Sequence, residues 1–490
     1  MTKRIFKYII LISLTFSCSD DFVDVETDDI TSDSFFTSPE DYDLALIGVY
    51  DLLQSTFFNV MVGEIASDNT LAGGESPIDA LGIQEIDNMT HFPENQQLRD
   101  IWQHMYSGIN RANFLIQNES KLDFDGRDQI MAQAKFLRAY FYFELVKWFG
   151  DVPLSDTVIE FGQQFSIDRS PKSLVYELIV SDLIYAIDHL EHQLTGASYG
   201  RVTKGAAQAL LGKAYVYSEQ WDKAATELQD LIANGPYSLL QGNDYLDMFE
   251  EVQENSIESV FEVQYTDQEG GSFGCFTCAE GNIAVGFSGP RQYQGDKYDS
   301  GYSFNVPTQE AYDAFKEGDA RREVTVFNAN LLPEGSYFPG HENTGFFNAK
   351  YIPRKGDLNI PDPNLTNPNN YRSIRYADVL LLAAEALVKS NGNETDATSY
   401  LNQIRNRAFI GAIDTNHLYK PSEGDLLEAI YKERRLELMG EGHRFFDLVR
   451  TNKAEGVIPG FSKAKGHELF PIPLIEIQLA GSRWEQNPGY

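Results

Sequence analysis

Residues 200–236, GRVTKGAAQALLGKAYVYSEQWDKAATELQDLIANGP, decide the fold. Leu211 and Gly212 are followed by Tyr215, Ala224 by Leu228, and the stretch closes at Pro236. This small/large spacing is that of a tetratricopeptide hairpin, where small residues let two helices approach and larger ones fill the seam. One hairpin cannot bury its own apolar stripes, and roughly three stacked units are needed for stability. The remaining chain is therefore expected to hold further helix pairs.

Working outward from the hairpin, residues 39–54 place Tyr42, Leu46, Val49, Tyr50 and Leu53 on one helical face, with Ser38 as N-cap. Residues 96–119 carry Ile101, Met105, Ile109, Ala112 and Ile116 at helical spacing, and residues 127–149 form a longer helix stopped by Gly150 and Pro153. Residues 171–192 are a further amphipathic helix. Beyond Pro236 the pattern changes: residues 259–265 alternate like a short strand, and the next hundred residues hold most of the Gly and Pro punctuation. Helices return at 376–389 and 394–407, with Ala384 and Ala397 at their crossing, then at 423–439 and 444–450; residues 470–477, with two prolines, read as extended. The Gly- and Asp-rich stretch 57–95, containing Glu64, Ser67, Asp68 and Asn69, reads as a long surface loop, a kind of segment that often carries function.

The expected fold is mainly α: a tetratricopeptide-like scaffold at 35–56, 96–236 and 373–490, bearing loop-rich, minor-β ligand-binding segments at 57–95 and 259–372. A chain of 490 residues with 42% hydrophobic content buries a large core. Its 39 basic and 73 acidic residues give a net charge of -34, which repels phosphate backbones and excludes nucleic acid as a partner.

At the N-terminus, Lys3, Arg4 and Lys7 precede an apolar run from Tyr8 to Phe16 and then Ser17-Cys18. This reads as a signal peptide (1–17) with lipidation at Cys18, although Phe16 is bulky and Leu14 sits one place upstream of the usual pattern. Residues 18–34 would be a polar tether, and an acylated terminus anchors to a membrane surface without spanning it. No later segment reads as a bilayer span.

Catalytic and metal chemistry find little support. Glu433, Glu437 and Glu441 at i, i+4 spacing beside Arg434, Arg435 and Arg444 read as surface ion pairs rather than paired catalytic carboxylates. His443 reads as a cap or a buried hydrogen-bonding group. Eight scattered histidines show no metal-binding spacing, and no cofactor is implied. Cys275 and Cys278 lack the second pair zinc would need and the βαβ setting of a redox motif, so they are expected to oxidise into a local staple that fixes Phe276.

The motifs FLRAYFYFELVKWFGDVPL at Phe136, RVTKGAAQALLGKAYVY at Arg201, RYADVLLLAAEAL at Arg375, LNQIRNRA at Leu401, KERRLELMGEGHRFFDLVR at Lys432, LFPIPLIEI at Leu469 and the terminal NPGY occur in order. Together they resemble the SusD/RagB family, outer-membrane lipoproteins of Bacteroidetes that bind glycans, over nearly the whole chain beyond the leader. The resemblance implies a non-catalytic protein that captures oligosaccharide or polysaccharide. It also implies display at the cell surface and pairing with a SusC-like TonB-dependent transporter. Asp20 and Asp21 look like the export tag of such lipoproteins.

Sugars offer apolar C–H faces ringed by hydroxyls, so a site needs flat aromatic rings beside Asp, Asn or Arg. Residues 273–304 hold seven aromatics, Phe273, Phe276, Phe287, Tyr293, Tyr298, Tyr302 and Phe304, among six glycines and without helical period. They form either a satellite core or a stacking platform. The resemblance places a platform here together with the loop around Asp68 and Asn69; no tryptophan lies in it. Arg375 opens a helix and either reaches a ligand or pairs with acids such as Asp378; Arg291 and Arg354 are comparable loop candidates. Two other functions fit the same features: a surface glycoside hydrolase, and a peptide-binding or structural lid on the transporter.

Overall fold

The computed structural model describes residues 35–159, 162–268, 280–355, 366–413, 415–481 and 483–490. The expected leader, the tether with Cys18, and the Cys275–Cys278 pair with Phe276 lie outside the described residues.

A run of helices carries the fold: α1 Pro39–Tyr50, α2 Phe57–Ile65, α3 Leu81–Asp87, α4 Gln96–Gln117, α5 Arg127–Phe149, α6 Lys172–His189, α7 Lys204–Tyr217 and α8 Trp221–Asn234. The loop-rich middle holds α9 Ile283–Ser288, and after it come α10 Tyr376–Lys389, α11 Glu394–Ala408, α12 Leu426–Leu438, α13 Arg444–Arg450 and α14 Leu474–Ala480. Successive helices pack in order, α4 on α5, α5 on α6, α6 on α7 and α7 on α8, and α8 then meets α10, which packs on α11 and α12. The architecture is the mainly α, tetratricopeptide-like scaffold expected from the hairpin.

Local chemistry explains the boundaries. Ser38 and Asp41 form a reciprocal capping box at the start of α1, and the Thr203 hydroxyl accepts the Ala206 N–H at the start of α7. Gly150 ends α5 at φ +71, where a side chain would also press on Leu469. At the hairpin crossing a Cβ on Gly212 would overlap the Leu228 side chain, so glycine sets the approach of α7 to α8. Tyr215 and Leu228 are buried in the seam, and Trp221 packs half-buried against it.

Four features depart from the sequence reading. Residues 57–95 are not a long surface loop: they fold as α2, the strand β1 Thr70–Gly73 and α3, and Glu64, Ser67 and Asn69 are buried. Asn59 and Gly63 within FFNVMVGEI masked a helix whose Phe57, Met61 and Ile65 seed a second apolar cluster with Phe287 and Phe304. The stretch Pro39–Ile65 also proves long and apolar enough, by composition, to cross a membrane, but 65% of that window is buried inside the protein as core helix. Residues 474–480 of the closing segment are helical rather than extended, starting after Pro473.

The fourth departure is energetic. Glu433, Glu437 and Glu441 are buried, not on the surface. Five cations, Arg321, Lys350, Arg375, Arg405 and Arg407, face five anions, Asp319, Glu258, Glu433, Glu437 and Glu441, in one network. Burial alone would raise the Glu437 carboxyl, but Arg407, Arg375, Arg321 and Lys350 outweigh it and hold the group well below the usual carboxylate range. Asp378 is not the partner of Arg375; it accepts from Lys213 (3.1 Å) and Arg434 (2.7 Å). His443 is buried, makes no side-chain cap and is pushed down to about 3 by burial and by Lys213, so it stays neutral.

Three short antiparallel ladders hold the loop-rich middle against this scaffold. β2 Ser259–Val263 pairs with β6 Tyr371–Arg375, and β4 Val326–Asn328 pairs with β5 Phe346–Asn348. β1 pairs with β3 Phe304–Pro307, matching Thr70 with Pro307 and Gly73 with Phe304.

Candidate functional site

The β1–β3 ladder brings three loops to one place. Gly73 and Gly74 take φ +74 and +91 at its end; a Cβ on Gly73 would overlap the Ser303 carbonyl oxygen, and one on Gly74 would lie 2.9 Å from the Phe304 ring. Only glycine permits that close approach and left-handed backbone together. The Gly74 N–H donates to Ser303 O (2.8 Å), the His341 N–H donates to Gly74 O (2.8 Å), and the Phe338 N–H donates to Arg291 O (2.7 Å). Residues 74–80, 290–303 and 336–342 are thus bound edge to edge through their backbones.

Arg291 sits at the junction. Its guanidinium reaches Glu75 (3.5 Å), Asp79 (3.2 Å) and the Tyr302 carbonyl (2.9 Å), lies 5.8 Å from the Tyr302 ring centre, and keeps a buried Nε–H with no acceptor among the described residues. Asp79 also accepts the Glu75 N–H (2.8 Å), which fixes the short loop that carries both acids. Around this clamp stand Phe338, 43% exposed, and the half-buried rings of Tyr293, Tyr302 and Tyr337. Their undersides are seated: Tyr293 meets Phe327 edge-on at 5.8 Å, Tyr337 meets Phe347 at 5.5 Å, and Tyr302 meets Phe287 at 5.8 Å. Rings held from below and open above are suited to stacking.

Beneath the surface, Asp87 accepts the Ala72 N–H of β1 (2.9 Å). Burial, with a smaller push from Glu342, raises its carboxyl to about 7 despite that hydrogen bond.

The structure separates the residues named from sequence. Tyr293 is on the surface just described. Phe287 and Tyr298 are buried, at 6% and 4% exposure, and act as pillars under Tyr302 and Tyr293 instead of as stacking faces. Asn69 is fully buried, donating to Glu64 (3.1 Å) and accepting from Arg435 (2.8 Å). Asp68 forms a two-pronged pair with Arg444 (2.7 and 2.9 Å) and meets Arg435 at 3.2 Å. Burial opposes its charge, but Arg444 and Arg435 win and lower its pKa, so it ties the turn before β1 to α13. Arg375 is buried and gives its donors to Glu258, Glu437 and Glu441, which leaves none for a ligand. Arg354 likewise serves Glu250 and the Ile352 and Ala349 carbonyls. These corrections share one cause: long-range partners that sequence spacing does not reveal. Glu75, Asp79, Phe338 and His341 were not singled out; the Gly73-Gly74 pair and the SYFPG run at 336–340 are their only local signals.

Comparison with known proteins gives a consistent result. Residues 338–490 match the sequence profile described as SusD family, and residues 21–216 match one described as starch-binding associating with outer membrane. The chain is 28% identical to SusD-like protein P2 of Formosa agariphila over the full length of both. Among solved structures it is similar to a laminarin binding SusD-like protein, with 34% identity, a TM-score of 0.84 and coverage of 93% of this chain and 100% of that one. It is also similar to surface glycan-binding protein A from Bacteroides thetaiotaomicron in complex with laminarihexaose, at 27% identity and a TM-score of 0.81 over 93% of this chain and 100% of that one.

Proposed function

Because the chain belongs to the SusD family, we propose that it captures a neutral oligosaccharide or polysaccharide on the surface around Arg291 and passes it on without cleaving it. The observation that carries this reading is the exposed Phe338 ring bound through its backbone to Arg291, with Tyr293 and Tyr302 alongside. A pyranose face stacks on such rings while Arg291, Glu75, Asp79 and His341 meet its hydroxyls. Glu75 and Asp79 both face the Arg291 guanidinium, and the chain carries a net charge of -34, so sulfated and uronic acid polymers are repelled. Relatives named for laminarin and starch binding support a neutral glucan.

The protein is not an enzyme; its family and structural neighbours are glycan-binding proteins. In the cell it sits at the outer-membrane surface, held by a lipid on Cys18, and covers a SusC-like TonB-dependent transporter. Calorimetry against a panel of laminarihexaose, maltohexaose, mannan and levan, paired with a reducing-end assay, tests this. Saturable binding without new reducing ends is expected, and steady release of reducing ends would overturn it. Pull-down of a TonB-dependent transporter from detergent-solubilised outer membranes tests the partner.

A further inference from the structure

A second aromatic cleft is built from different elements. Trp102, Gln103, Tyr106 and Asn110 stand on successive turns of α4, and Glu476 of α14 and Trp484 of the C-terminal segment close it around about 510 Å³. Pockets for small ligands span roughly 300–1,000 Å³ and combine aromatic walls with a few polar groups. Its walls are fixed in advance. The Trp484 indole donates to Ile167 O (2.8 Å), the Tyr106 hydroxyl donates to Pro153 O (2.7 Å), and Trp102 packs edge-on against Phe149 at 5.2 Å. Trp102 also lies 4.9 Å from Tyr106 and 6.2 Å from Trp484.

Asn110, half-buried, accepts the Ile159 N–H (2.8 Å) and is one of the polar lining residues. Glu476, hydrogen-bonded by Gln103, is the one charged side chain among the lining residues. The cleft thus pairs aromatic side chains with the Asn110 amide and the Glu476 carboxylate, groups suited to a sugar ring and its hydroxyls. The carboxylate disfavours anionic sugars. Phe92, 61% exposed, stands beside Pro93, whose carbonyl accepts the Leu474 N–H at the foot of α14, so another open ring neighbours the cleft.

We propose that this cleft is a second subsite for a neutral pyranoside ring, separate from the Arg291 surface, with the half-buried Tyr106 as its open ring and the buried Trp102 and Trp484 as its backing. The proposal rests on the glycan-binding reading for the nature of the ligand. A long polysaccharide engaging both sites gains avidity that neither site gives alone.

The four tryptophans make a direct test, because none lies on the Arg291 surface. The full chain beyond Cys18 is labelled with 5-fluorotryptophan and titrated with each glycan of the calorimetric panel while fluorine NMR is recorded. The Trp102 and Trp484 resonances should move saturably, with Trp148 and Trp221 unmoved. Removing Trp102 risks the fold, so Ser107→Phe, at the exposed rim, serves as the blocking variant; it should abolish both shifts and leave the calorimetric binding at the Arg291 surface in place. A glycan that gives binding heat but leaves Trp102 and Trp484 unmoved, or shifts that survive Ser107→Phe, overturns the second subsite alone. No heat from any glycan overturns this subsite and the glycan-binding reading together.

Discussion

Arg375 and Glu437 form a buried ion pair of 2.8 Å, with side chains 2% and 1% exposed, that joins the end of β6 to α12. Arg375 also holds Glu258 and Glu441, and Arg407 of α11 shares Glu258 and Glu437, so four parts of the C-terminal half meet at these carboxylates. The pair holds the scaffold together and is buried away from solvent.

Replacing Arg375 with alanine strips one partner from a buried network and leaves Glu437 and Glu441 short of a cation. A loss of about 3–5 kcal/mol in unfolding free energy is expected, read by chemical denaturation. Glycan affinity of the protein that remains folded should match wild type. A stable Arg375→Ala variant with selectively lost glycan binding would return Arg375 to the ligand site.

At the helix hairpin, Gly212→Val forces a side chain into the space held by Leu228. Overpacking of this kind costs about 1–3 kcal/mol. Denaturation should show that loss, whereas an unchanged midpoint would mean that α7 and α8 do not approach as closely as described.

The hairpin was legible because its signal is local: small and large residues at helical spacing report packing within one pair. The helices at 127–149, 376–389 and 444–450 were legible for the same reason. The charged face of α12 was not. Glu433 and Glu437 have the spacing of an exposed face, and only Arg321, Arg375 and Arg407, distant in sequence, turn it into core. Asp68 and Asn69 failed likewise, through Arg444 and Arg435. The aromatic segment fell between these cases. Composition located it, yet which rings face solvent depends on β1–β3 pairing and on Phe327 and Phe347 underneath. Arg291 was named among loop arginines without a reason to prefer it; Glu75 and Asp79, more than 200 residues earlier, supply that reason.

Asp87 sets a pH dependence near the same surface. Its carboxyl titrates near 7 when folded and near 3.8 as a free group, so between these values the folded state binds more protons than the unfolded state. Its contribution to stability is therefore present below about pH 4 and is lost as pH rises toward 7. Asp87→Asn keeps an acceptor for the Ala72 N–H without the charge. Partial exposure discounts the full shift, and the variant should be more stable than wild type by about 1–3 kcal/mol at pH 8 and equal to it at pH 4. Melting curves at the two pH values check this; equal stability at pH 8 would show that the carboxylate is well solvated.

The most direct measurement of the glycan-binding claim is calorimetry of wild type, Phe338→Ala and Arg291→Ala with whichever panel glycan binds tightest, alongside melting temperatures. Phe338 is exposed, so its removal should leave the fold intact. The expected result is at least a tenfold weaker Kd for each variant, about 1.4 kcal/mol, with the Phe338→Ala melting temperature unchanged. Wild-type affinity in both variants would contradict the assignment of the ligand to the surface around Arg291.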